Sequence, residues 1–169
     1  MDPMLKTSLW QQFGAAIDMF DDAIKLCPDH LWTASLWKDA DDARYGQFWY
    51  IASHTLSWLD LFLTGSSQGF QPPPPFLRGR LPDSPYTKAD VQNYLNQCRQ
   101  KVQSTIENLT DERAHQICKF EWMEPTFYEL QLYSMRHVQE HGAQLNLFLG
   151  GQHDITGMDW VAIAREKTT

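Results

Sequence analysis

The sequence has few cysteines, few basic residues and no long apolar run. Its three cysteines are widely separated and form no CxxC pair, which is typical of free thiols in a reducing cytoplasm. It has 14 basic residues against 21 acidic ones and a net charge of −7, and no basic stripe of a nucleic-acid-binding surface. No apolar run reaches the roughly 18 residues of a membrane span, and the N-terminus lacks a signal-peptide core. We expect a soluble, cytoplasmic protein that binds neither nucleic acid nor membrane.

What the chain does have is enough apolar material for a full core. It is 169 residues long, 43% of them hydrophobic, with seven Trp and nine Phe. Surface scaling for a chain of this mass predicts that about 70% of the surface is buried on folding. We therefore expect one domain spanning residues 1–169.

Helical periodicity dominates the chain, and no strand-like alternation bounded by turns appears. Four helices are predicted, over about 7–26, 42–63, 87–106 and 124–149, with a shorter one over 158–165. The segment 64–86 contains six prolines and three glycines, which excludes regular secondary structure. Its length also exceeds that of a tight turn between helices. The pattern predicts an all-α four-helix bundle with a long crossover between helices 2 and 3.

Three histidines lie where the apolar stripes of two predicted helices run. His137 and His141 are four residues apart, so they project from one face of the fourth helix. His54 is the best third donor, on the apolar side of the second helix. Three imidazoles suit Zn²⁺, Ni²⁺, Fe²⁺ or Cu²⁺ and leave at least one coordination position open. Each histidine could equally be an ordinary half-buried residue.

The sequence around the pair differs from known protease motifs. It reads HVQEH, so the glutamate of HExxH metalloproteases is missing, and Glu140 is expected to face solvent or a helix flank. The other histidines, His30, His115 and His153, are interpreted as surface residues. Trp58 could wall the metal cavity, and the hydroxyl of Tyr50 or Tyr133 could hydrogen-bond a water on the metal.

The strings FWYIASHTLSWLDLFL and RHVQEHGAQLNLFLG, with the long proline-containing segment between them, resemble the DinB/YfiT-like family. The resemblance covers nearly the whole chain and implies a four-helix bundle with a metal triad at His54, His137 and His141. It also implies nickel, zinc or iron as the cofactor, low-molecular-weight thiols and other small molecules as partners, and a homodimer.

Two functions follow as hypotheses from this resemblance. The first is a metal-dependent enzyme, either a thiol-dependent S-transferase or a hydrolase, in which the metal activates a thiol or water. The second is a non-catalytic helical-bundle protein that binds a metal or ligand for stability or recognition.

Overall fold

The computed structural model describes residues 1–166, and it is helical, with isolated β-bridges and no strand in that part of the chain. The five α-helices are α1 (Pro3–Leu26), α2 (Phe48–Thr64), α3 (Lys88–Glu107), α4 (Asp111–His115) and α5 (Phe127–Asn146). A π-helical segment, Leu147–Gln152, continues α5. The predicted all-α class is confirmed.

The four long helices form the bundle, with α1 and α2 each packing against both α3 and α5. This arrangement places α1 and α2 at opposite corners, and the short α4 packs on α5. The core between them consists of aromatic and branched side chains that are less than 2% exposed, among them Phe13, Phe20, Phe48, Trp49 and Tyr94. Most of the stabilising apolar burial therefore lies on the inner faces of the helices.

Local contacts explain where three helices begin, and they correct three predicted boundaries. Helix α1 starts before residue 7, because the Asp2 carboxylate accepts a hydrogen bond from the Met4 amide and Pro3 occupies the first helical position. Helix α2 starts after residue 42, since Ala43–Gly46 forms a separate 3₁₀ turn. Helix α5 starts after residue 124, at the cap formed by Thr126.

The start of α3 was predicted correctly. Thr87 and Asp90 form a reciprocal capping box, in which each side chain accepts a hydrogen bond from the backbone of the other. Between α2 and α3 the chain runs from Gly65 to Thr87 without a helix. Gly65 ends α2 in the left-handed region with φ +78°, which suits glycine because it has no Cβ.

The predicted helix over 158–165 is wrong. That segment is irregular, with Trp160 77% exposed and Ile163 55% exposed. Its backbone is bound by other elements instead: the Arg165 amide donates to the Asp18 carboxylate at 2.7 Å, and the Ala164 amide donates to a carbonyl of α1 at 2.9 Å. Partners supplied by α1 therefore replace the bonds that a helix would have made.

The wall between α1 and α3 contains a buried ion pair. Asp18 and Arg99 are 4% and 3% exposed, and their charged groups approach to 2.8 Å. A second polar cluster joins α2 to α3, where Asp60 accepts hydrogen bonds from Tyr94 at 2.9 Å and from Lys101 at 2.7 Å. Because their partners are present, these buried charges are compatible with the core.

No helix within residues 1–166 is both long enough and apolar enough to cross a lipid bilayer.

Candidate metal centre

The three histidines singled out in the sequence lie together in the structure. His54 lies on α2, and His137 and His141 lie on α5, the helix that packs beside it. Their ring centroids are 4.5 Å apart within the α5 pair, and 5.5 Å and 5.3 Å from His54 to His137 and His141. One ring nitrogen of each lies within 4.8 Å of the other two. The helix pairing therefore converts two distant sequence segments into one cluster.

Burial keeps two of these imidazoles, His54 and His137, neutral. Burial, together with the smaller effect of the neighbouring imidazoles, lowers the pKa of His54 to about 4 and that of His137 to about 3. A neutral imidazole has a free nitrogen lone pair, whereas the protonated ring has none. At pH 7 the folded protein therefore presents His54 and His137 in the form that binds metals.

Hydrogen bonds orient the rings on α5. The Nδ1 atom of His141 lies 2.7 Å from the Oε1 atom of Gln144, and its Nε2 atom lies 3.1 Å from the Nε2 atom of His137. An amide oxygen accepts a hydrogen bond, so the tautomer of His141 that fits this contact carries its proton on Nδ1 and has its lone pair on Nε2. That lone pair faces the other two rings, which is the arrangement a shared cation requires.

The His137 ring, in contrast, has no hydrogen-bond partner among the described residues at its Nδ1 atom, on the side away from His141. Its Nδ1 atom is buried without a hydrogen bond, and so is the hydroxyl of Ser134 one turn earlier on α5. Outer hydrogen-bond partners normally fix the rings of metal-binding histidines. His141 therefore has its supporting contact already in place, while His137 has an unpaired polar atom behind it.

The donor set fits a transition metal. It consists of three imidazoles with no carboxylate or thiolate in the cluster, and nitrogen donors favour zinc, nickel or iron over calcium or magnesium. Aromatic rings flank it: Trp58 lies edge-on to His54 at 6.1 Å, the tilted ring of Tyr50 lies 5.7 Å from His54, and Phe62 lies 6.4 Å from His137. Such walls limit access of bulk water.

A cavity of about 430 Å³ adjoins the cluster on the side of His54. Trp58 and Tyr50 of α2 form one wall, and residues of the 65–87 connection form the other. Its volume lies within the usual range for small-molecule sites. The cavity therefore gives a small molecule a route to His54.

The remaining sequence interpretations fare differently. Trp58 walls the cavity as expected, and Tyr50 lines it. Tyr133 is 40% exposed and packs on Phe62 at 5.4 Å, which takes it away from the inward stripe. Glu140 is exposed, as are the three histidines outside the cluster, His30, His115 and His153.

The three cysteines are buried and free. Burial raises the pKa of the Cys27 thiol to about 12 and also raises the pKa of Cys98 and Cys118. Thiols held in this neutral form are poor nucleophiles. Among the described residues, the histidine cluster is therefore better suited than the cysteines to be a functional site.

A match to a family model identifies the family to which this chain belongs. The model of the DinB superfamily matches residues 12–145, which include all three histidines. The chain belongs to the DinB superfamily. No curated protein and no solved structure matches the chain. The helical architecture agrees with a DinB-like fold.

Sequence reasoning missed one part of the site. The connection 65–87 supplies a wall of the cavity, including Arg78 and Arg80. The Arg-Gly-Arg string among the prolines was the available signal, because two cations in an acidic chain are unusual in an irregular segment facing an apolar groove.

Proposed function

We propose that this DinB-like protein is a metal-dependent enzyme in which His54, His137 and His141 bind one divalent zinc, nickel or iron ion. The observation that carries the proposal is the convergence of three ring nitrogens, one from each histidine, within 4.8 Å of one another. Three nitrogens at these mutual distances are close enough to share one metal ion. Three protein ligands also leave a coordination position for a reactant.

When bound, the metal supplies a Lewis acid that favours the deprotonated form of water or of a low-molecular-weight thiol. The protein's own groups do the positioning. Gln144 holds the Nδ1 proton of His141, which directs the Nε2 lone pair inward. Trp58 and Tyr50 flank His54 and form the wall of the cavity through which a reactant reaches it. Thiol transfer and hydrolysis both suit this arrangement.

The cavity favours an enzyme over a purely structural metal site. Structural zinc sites are closed by four protein ligands, whereas this cluster has three and borders a cavity of about 430 Å³. A non-catalytic metal protein would need the metal only for stability. Chelation would then lower its melting temperature without removing any turnover.

The metal assignment is tested by elemental analysis of protein purified without a histidine tag. We expect about one metal ion per chain in the wild type, and a large loss in His54→Ala because two imidazoles alone make a weak site. His30→Ala is the matched control, since His30 is exposed and lies outside the cluster. Full metal retention in His54→Ala would show that the three-histidine assignment is wrong.

The reaction class needs a second measurement. A panel of low-molecular-weight thiols is incubated with an aromatic electrophile and the metal-loaded protein, and ester hydrolysis is followed in parallel without thiol. Turnover that needs a thiol supports the S-transferase, and turnover without one supports the hydrolase. Absence of both activities, with the metal bound, supports the non-catalytic alternative.

A further inference from the structure

The cavity beside His54 has an unusual charge for this protein. The chain carries a net charge of −7, yet the cavity lining contains two arginines, Arg78 and Arg80, and no aspartate or glutamate among the described residues. The nearby Asp42 is held by Arg44 at 2.6 Å. The lining of the cavity is therefore positive and largely aromatic in an acidic protein, and it favours an anion.

The two arginines differ in what they contact. Arg78 donates hydrogen bonds to the carbonyls of Ser67 and Phe70, both at 2.9 Å, and its guanidinium lies 5.8 Å from the Phe70 ring. These contacts bind two parts of the 65–87 connection together. Arg78 is thus occupied in holding the cavity wall.

Arg80, in contrast, makes no hydrogen bond or ion pair with any residue of the described chain. It is exposed at the cavity rim, and its charge lowers the pKa of Tyr86, which burial raises. A guanidinium offers five N–H donors in a planar fork that matches a carboxylate. Arg80 is therefore the cation in the cavity that remains available to a ligand.

The backbone on both sides of Arg80 is anchored. The Leu77 amide donates to the Tyr86 hydroxyl at 2.9 Å, and the Pro82 carbonyl accepts a hydrogen bond from Arg44 at 3.2 Å. Phe76 is buried between the rings of Tyr86 and Tyr94, at 4.5 and 4.6 Å. Anchors on each side reduce the entropy lost when Arg80 binds a ligand.

The aromatic residues of the cavity walls indicate the chemistry of the uncharged part of the ligand. Trp58 and Trp122 meet edge-on at 5.4 Å, and Tyr45 and Tyr50 do so at 4.9 Å. All four line the cavity. Flat aromatic surfaces of this kind suit a flat, apolar body, which they can contact through stacked or edge-on rings.

We propose that the substrate is a small carboxylic acid with an aromatic body, whose carboxylate is bound by Arg80 while its body lies between the aromatic walls. This deepens the proposed function and rests on it for one point, that the reacting end of the molecule faces His54. The role of Arg80 is to bind and orient, which makes it a residue that determines specificity.

The test compares two probes of nearly equal shape, 3-phenylpropionate and its neutral amide, 3-phenylpropionamide. Each is titrated into zinc-loaded protein, and binding is followed by the fluorescence of the tryptophans that line the cavity. The variants are Arg80→Gln and, as the control with the same charge change, Arg136→Gln. Arg136 is exposed on α5 and does not line the cavity.

We expect the acid to bind about tenfold more tightly than the amide in the wild type and in Arg136→Gln, as a charge-assisted pair contributes. In Arg80→Gln this preference should disappear while the affinity for the amide is unchanged. An undiminished preference in Arg80→Gln, or no binding of either probe, overturns the proposal.

The same titration of His54→Ala separates this inference from the proposed function. A carboxylate preference that survives in metal-free His54→Ala supports Arg80 as the anchor. A preference lost there but kept in Arg80→Gln assigns the carboxylate to the metal and overturns the role of Arg80. If His54→Ala retains the metal, only the proposed metal site is contradicted. The comparison of the wild type with Arg80→Gln does not depend on that result.

Discussion

Acidification should destabilise the metal-free protein through two residues of the histidine cluster. The folded-state pKa is about 4 for His54 and about 3 for His137, against 6.5 for an exposed imidazole. Below pH 6.5 the unfolded chain therefore binds more protons than the folded one. The free energy of unfolding falls as the pH decreases from 6.5 toward about 4 and then 3.

The magnitude follows from these pKa values. At pH 5 an unfolded imidazole is almost fully protonated, while both buried rings remain neutral. The 1.5 pH units below 6.5 correspond to about 2 kcal/mol for each ring, or about 4 kcal/mol for the two. At pH 7 the same two groups lower the free energy of unfolding by only a few tenths of a kcal/mol. Nearly the whole loss of stability therefore occurs between pH 7 and pH 5.

Urea unfolding of chelator-stripped protein at pH 7 and pH 5 measures this loss. The double variant His54→Gln/His137→Gln should lose about 4 kcal/mol less than the wild type over that interval, because glutamine does not titrate. The double variant His30→Gln/His115→Gln is the control, since both histidines are exposed. Equal losses in the wild type and in the cluster variant would refute the reasoning.

Two further predictions concern single side chains. Asp18→Ala removes the carboxylate partner of the buried Arg99 and should lower the free energy of unfolding in urea by about 3–5 kcal/mol. Asp22→Ala, whose ion pair is more exposed, should lower it by about 1 kcal/mol or less. Equal losses in the two variants would contradict this ranking. Gln144→Ala removes the acceptor of the His141 Nδ1 proton and should weaken zinc binding about tenfold or more, measured by competition with a chelating indicator. Unchanged affinity would show that Gln144 does not support the metal site.

Helix periodicity made much of the fold predictable. The apolar stripe of α5 brings His137 and His141 to one face, and the stripe of α2 does the same for His54, so the inward direction of each could be read from neighbouring residues. The pairing of α2 with α5 was not contained in that pattern. The apolar neighbours of His54 made it the best third donor, but the pairing of its helix with α5 was implied only by the family resemblance, because helical period specifies which face is buried and not which helix covers it.

The features that escaped prediction depend on contacts distant in sequence. The segment 158–165 has helical spacing, yet its backbone is bound by Asp18 and Gln11 of α1. The role of the 65–87 connection in forming the cavity depends on Arg44, which binds it from outside, and on an internal contact between the Leu77 amide and the Tyr86 hydroxyl. Local propensity carries no information on such partners.

X-ray absorption spectroscopy of the purified, untagged protein at the edge of its bound metal tests the central claim most directly. We predict three imidazole nitrogens at about 2.0–2.1 Å, together with at least one further light-atom ligand that does not come from histidine. A shell with fewer than three imidazoles, or one that contains cysteine sulfur, would contradict a metal centre formed by His54, His137 and His141.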